Sequence, residues 1–114
     1  MKKENRLKKR KQFKWTFKNG QAQSTKHLTI VFVASKAKVV KVGFSVTKKV
    51  GNAVVRNRKK RQLREAVTRI LPNIKPCHTI VFVAKPSIVK ASFAEIEQDV
   101  LILTKKANLY REIQ

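Results

Sequence analysis

The chain has 114 residues, 42% of them apolar, and carries a formal net charge of +22 from 28 Lys and Arg against six Asp and Glu. That length holds one domain with a modest core, and that apolar share excludes a disordered basic tail. A compact body so charged repels itself, so composition calls for a polyanionic partner, nucleic acid first and an anionic membrane surface second. No apolar run approaches the ~20 residues of a membrane span, and MKKENRLKKRKQF lacks the apolar stretch of a signal peptide. The expectation is a cytoplasmic protein without a membrane partner. Cys77 is the only cysteine; it excludes a disulfide framework and reads as a small core residue beside a strand.

In chain order, residues 1–5 are polar and expected to be loose. A short helix is predicted from Leu7 to Lys18, stopped by Asn19-Gly20. Phe13 and Phe17 share one of its faces, being one turn apart, and Trp15 is expected to pack. HLTIVFVA at 27–34 reads as a strand and SKAK as a basic turn after it. KVGFSVT at 41–47 alternates: Val42, Phe44 and Val46 belong to a core face, and Lys41, Gly43, Ser45 and Thr47 to a polar one. With no side chain at Gly43, that polar face is expected to leave room for something to lie across it. Asn52 is the expected N-cap of a long helix that Pro72 limits. TIVFVAK at 79–85 is a further strand, closed by Pro86. Ser92 and Glu95 make a capping box for a last helix, striped by Phe93, Ile96, Val100 and Leu103. The elements run α-β-β-α-β-α, a single α+β domain at 1–114 with helices over one sheet face.

Acids are absent between Glu4 and Glu65, a span that holds 19 of the 28 cations. The binding surface is therefore sought before residue 70. At about 100° per residue, Val55, Leu63, Ala66, Val67 and Ile70 gather on one side of the long helix, to be packed on the sheet. Asn57, Arg58, Arg61, Arg64 and Thr68 gather opposite, with Lys60 nearby. Arg56 and Lys59 fall nearer the apolar side and are expected to extend their charges outward to water. A charge run is ordinarily a solvated face. Here the charges share one sign, and like charges at i,i+4 cost a few tenths of a kcal/mol per pair. A phosphate-lined partner removes that cost. Arg suits phosphate oxygens through its planar fork, Asn57 can reach a ribose hydroxyl or base edge, and the helix N-terminus beside Lys48 and Lys49 is an anion site.

The stretch Lys48-Lys49-Val50-Gly51-Asn52-Ala53-Val54-Val55-Arg56-Asn57-Arg58, continuing to Glu65, closely resembles the signature of the bacterial ribonuclease P protein component. RLKKRKQFKWTFKNG resembles that family's first helix, VGFSVTKK its strand before the signature, and VFVAKP its strand after it, so the likeness spans roughly residues 6 to 87. The resemblance implies a sandwich like ribosomal protein S5 domain 2, of order α-β-β-(β)-α-β-α, with a left-handed βαβ crossover where general handedness favours right. It implies an endoribonuclease holoenzyme that removes the 5′ leader of precursor tRNA, with cleavage by a large RNA subunit that also binds most of the Mg2+. Lys48, Lys49, Asn52, Arg56, Asn57, Arg58, Lys60, Arg61 and Arg64 would meet that RNA. A cleft between the first helix and the open sheet face would take the leader, with Phe13, Phe17, Lys14, Val31, Lys41 and Ser45. Two positions depart from the family: Lys59 stands where relatives are often apolar, and Val31 is matched to a place where they often carry a leader-facing tyrosine.

By itself the chain lacks the acids of a two-metal nuclease on its basic half, and no glycine-rich nucleotide loop is present, so neither catalytic nor metal-binding residues nor a small-molecule substrate are expected. His27 and His78, each at a strand start, are expected to be structural. A structural ribosomal protein or RNA chaperone with no associated enzyme is the alternative reading, and a self-sufficient nuclease a third.

Overall fold

The computed structural model describes residues 1–112. Three helices and four strands follow the order α1 (Arg10–Asn19), β1 (Gln21–Ser24), β2 (Leu28–Ala34), β3 (Lys41–Ser45), α2 (Ala53–Ile70), β4 (His78–Ala84) and α3 (Phe93–Lys106). The sheet runs β1-β2-β4-β3, antiparallel except for β3 beside β4. Two parallel neighbours need a crossover, and α2 supplies it.

Alternation along the strands sends Leu28, Ile30, Val42, Phe44, Ile80 and Phe82 to one face, where they meet Leu63, Val67, Ile96, Val100 and Leu103 from α2 and α3. Phe44 and Phe82 stack within this core with ring centroids 6.2 Å apart. The alternation expected of β3 and the stripe expected of α3 are both realised. So is the capping box: Ser92 Oγ accepts from Glu95 N–H at 3.1 Å while Ser92 N–H donates to Glu95 Oε1 at 3.2 Å.

Several expectations are corrected. Helices lie on both sheet faces, because α1 packs against β2 and β4 on the side opposite α2 and α3. The room expected at Gly43 is filled by the protein's own Phe13 ring. Gln21–Ser24, which has no β-branched or aromatic residue, is a strand by backbone pairing with β2 alone and is exposed throughout. Gly20 does stop α1, but in an extended conformation (φ −87°, ψ 165°). Glycine is required there for space, since a Cβ would stand 2.7 Å from the Thr16 carbonyl oxygen.

Residues 1–5, expected to be loose, include a 3-10 turn, Lys3–Asn5. Asn5 is buried and donates from Nδ2 to the Val40 carbonyl at 2.9 Å. Beyond it, Leu7 N–H donates to Val42 O at 2.9 Å, so the N-terminal segment covers part of the free edge of β3. Cys77 is exposed rather than in the core: it sits at φ 64° just before β4 begins, outside the strand's alternation. Trp15, expected to pack, is 49% exposed. The helix rests on the sheet through Thr16, fully buried, which turns Trp15 out to one flank.

Candidate nucleic-acid interface

The amphipathic pattern of α2 positions its cations. Leu63, Ala66 and Val67 are fully buried, which fixes the helix's rotation and leaves Asn57, Arg58, Lys60 and Arg61 exposed on the other side. Arg56 and Arg64 are half-buried. The helix's one acid, Glu65, is engaged at 3.5 Å by Arg69, which also donates to Glu97 at 2.7 Å. No carboxylate is thereby aimed at the arginine face from within α2. Val54, exposed one turn before Asn57 and Arg58, adds an apolar patch to the same face.

Asn52 caps α2 as expected, its Oδ1 accepting from Val55 N–H at 3.0 Å. That bond uses one lone pair of the oxygen and leaves the Nδ2 amine free to donate to a partner. Lys48 and Lys49 stand exposed before the cap, beside the positive end of the helix dipole.

Lys59 does not reach for water. It is 5% exposed, and its amine donates to the Ala91 carbonyl at 2.9 Å. Loss of hydration holds its pKa below the ordinary lysine value, and the neighbouring Arg58 charge lowers it further. Position 59 lies one turn before Leu63 on the ridge that α2 presents to the core, so its stem has no outward route and the hydrogen bond offsets part of the burial.

The residues expected to form a leader cleft are divided by the structure. Phe13 and Ser45 share a groove with Lys8, Arg10 and Lys60. It adjoins a groove of about 300 Å3 where Phe13 meets Arg6, Val42, Gly43 and Arg64. Lys60 and Arg64, assigned from sequence to the other surface, therefore look across the β3 edge at Phe13. Arg6, Lys8 and Arg10, from the cationic run before α1, line these grooves and are not among the residues expected there. Lys41 instead lies on the opposite flank of α1, with Trp15. Phe17 and Lys14 are exposed on α1, whereas Val31 is 8% exposed beside Gly20 and offers little surface. A separate groove of about 560 Å3, between Met1–Asn5, Val40 and Leu71–Ile74, is lined by none of the expected RNA contacts.

The histidines cannot act as a pair. Leu28 pairs with Ala84 at one end of the sheet and Ala34 with His78 at the other, so His27 and His78 stand roughly 20 Å apart. Each has local work. His27 Nδ1 lies 2.9 Å from Ser87 Oγ, and His78 Nδ1 lies 2.8 Å from the Pro76 carbonyl. Among the described residues no three His, Cys, Asp or Glu side chains come together as a metal site, and no helix is long and apolar enough to cross a membrane.

A family profile described as ribonuclease P matches residues 1–108. The chain belongs to the ribonuclease P protein family. The ribonuclease P protein component of Alkaliphilus metalliredigens is 38% identical over 109 residues, 96% of this chain and 98% of the relative. That of Bacillus velezensis is 39% identical over 113 residues, covering 98% and 97%. The Staphylococcus aureus RNase P protein superposes with a TM-score of 0.87 at 26% identity over 94% of this chain and 98% of that one. A mutant of it with defective mRNA degradation activity gives the same TM-score, at 26% identity over 93% and 90%. For the Thermotoga maritima RNase P protein the TM-score is 0.80 at 25% identity, over 88% and 96%. As a ribonuclease P protein the chain has a place in tRNA processing, in a holoenzyme with the ribonuclease P RNA.

Proposed function

We propose that this chain is the RNA-binding subunit of ribonuclease P, holding the catalytic RNA along the outer face of α2 and the 5′ leader of precursor tRNA beside α1. One observation carries the reading: the buried ridge Leu63–Ala66–Val67 forces Asn57, Arg58, Lys60 and Arg61 outward together, while Glu65 is drawn off by Arg69. Two arginine forks, a lysine point charge and an asparagine amide, on one face and without a facing carboxylate in α2, form a track for a sugar-phosphate chain. The grooves at Phe13 lie between that track and α1, so one strand entering them meets Lys60 and Arg64 on one side and an aromatic ring on the other.

The protein's contribution is electrostatic. Cations on α2 and before α1 lower the repulsion between two RNAs, which favours both substrate binding and the Mg2+ that the RNA subunit holds. In this reading Mg2+ is held mainly by the RNA subunit, whose phosphate oxygens are the hard donors the ion prefers. Phosphodiester cleavage is assigned in this reading to the RNA subunit.

Precursor tRNA cleavage at low Mg2+ tests this, with protein and RNA subunit assayed together and each alone. Stimulation only in the presence of both is expected. Cleavage by the protein alone would overturn the assignment in favour of an intrinsic nuclease, the arm to which the mRNA-degradation phenotype of the S. aureus mutant gives weight. Binding without any stimulation would favour a ribosomal protein or RNA chaperone.

A further inference from the structure

A helix seated through Thr16 has two flanks. At about 100° per residue, Phe13 and Phe17 fall to one side of Thr16, and Lys11, Gln12 and Trp15 to the other. On the Trp15 side a recess of about 400 Å3 opens between α1 and the sheet, lined among others by Leu7, Lys11, Trp15, Ser35, Lys41 and Thr79. The recess shares only Leu7 with the Phe13 grooves.

Three features of the recess converge. The Trp15 indole is half-exposed on its wall. Ser35 Oγ is enclosed and has no hydrogen-bond partner among the described residues. Among the described residues Lys11 and Lys41 are the only charged groups lining it, and both are cationic. A flat ring answers the indole, a polar edge answers the hydroxyl, and flanking phosphates answer the two lysines. A protein side chain supplies the ring without the phosphates. An unpaired nucleobase within an RNA strand supplies all three.

We propose that this recess binds an unpaired base of single-stranded RNA, stacked on Trp15, its edge at Ser35 and its phosphates at Lys11 and Lys41. α1 then carries an RNA strand on each flank. The proposal rests on the reading of the chain as an RNA-binding subunit. It leaves two sources for the strand, the precursor substrate and the RNA subunit, which share the same chemistry.

Trp15 is the chain's only tryptophan, so its fluorescence reports this recess alone. The full chain is titrated with a short unstructured oligoribonucleotide, with precursor tRNA and with the RNA subunit, binding being followed independently by anisotropy of labelled RNA. Quenching at saturation by the oligomer is expected, and quenching by one of the two larger RNAs names the source. Trp15→Leu is expected to weaken oligomer binding by roughly five- to 150-fold, the range of base stacking on an aromatic side chain, with unchanged thermal unfolding and substantial rescue by Trp15→Phe. Lys11→Glu, at an exposed rim position, is expected to suppress the quench. Emission that stays constant while all three RNAs bind, or Trp15→Leu binding as tightly as wild type, overturns the proposal. If Trp15 is silent but cleavage at low Mg2+ is still stimulated, this site falls and the functional reading stands. If stimulation itself is missing, the functional reading falls.

Discussion

Phe13 lies over Gly43 so closely that a Cβ on the glycine would stand 2.5 Å from the ring's Cζ and 2.7 Å from its Cε1. Strand β3 and helix α1 thus touch through an absent side chain. Gly43→Ala must push the ring from its seat. A loss of about 1–3 kcal/mol is expected, as for other overpacked sites, read from urea unfolding. The double variant Gly43→Ala, Phe13→Ala is expected to lose less than the two single losses summed. Strict additivity would show that the ring and the strand do not share that space.

The two faces of the proposed interface separate by salt dependence. Arg61→Ala is expected to weaken assembly with the RNA subunit and to reduce the slope of log K against log salt by about 1, one phosphate contact fewer. Phe17→Ala is expected to leave that slope alone and to weaken precursor binding by the assembled enzyme by ~1–3 kcal/mol. Because Phe17 is 46% exposed, its removal should move the melting temperature little. A large drop in melting temperature for Phe17→Ala would place the ring in the core instead.

Lys59 gives an alkaline signature. Burial holds its folded pKa below the ordinary 10.5, so the unfolded chain binds the proton more tightly. Between the folded value and 10.5 the unfolded state carries more protons, and stability from this group rises with pH through that window. Lys59→Met removes both the burial penalty and the bond to Ala91 O, and is expected to stay within about 1 kcal/mol of wild type at neutral pH. As pH rises toward 10.5, wild type should gain on the variant in denaturant melts. A constant difference would show that the amine is hydrated in both states.

Glu95 gives the acid counterpart. The Ser92 N–H, then the Ser92 hydroxyl, and more weakly His27, hold its carboxyl below the ordinary 4.5. That stabilisation is present above 4.5 and is lost as pH falls through the lower folded value. Glu95→Gln should therefore flatten the acid limb of the stability curve. An acid limb unchanged by the substitution would mean the capping box does not form in solution.

The hydrogen bonds around His27 also fix a tautomer. Ser87 O–H donates to the Lys26 carbonyl at 2.9 Å, so its oxygen is left to accept from His27 Nδ1–H. Nitrogen chemical shifts should show Nδ1 protonated. A ring carrying its proton at Nε2 alone would contradict this arrangement.

By itself the sequence determined the strand alternation of β3, the capped start and apolar ridge of α2, the capping box and stripe of α3, and the signature by which the family is recognised. All are local or periodic: spacing decides which residues share a face before any packing partner is known. What only the tertiary structure decided depends on contacts between segments distant in the chain. Gln21–Ser24 becomes a strand because β2 offers it an edge. Lys59 is buried because Ala91 offers a carbonyl there. Trp15 is turned out because Thr16 takes the seat on the sheet, and Lys41 parts from Phe13 because α1 lies between two recesses. Residue type fixed the charge of the proposed interface; the crossing of α1 over the sheet fixed which cations face which ring.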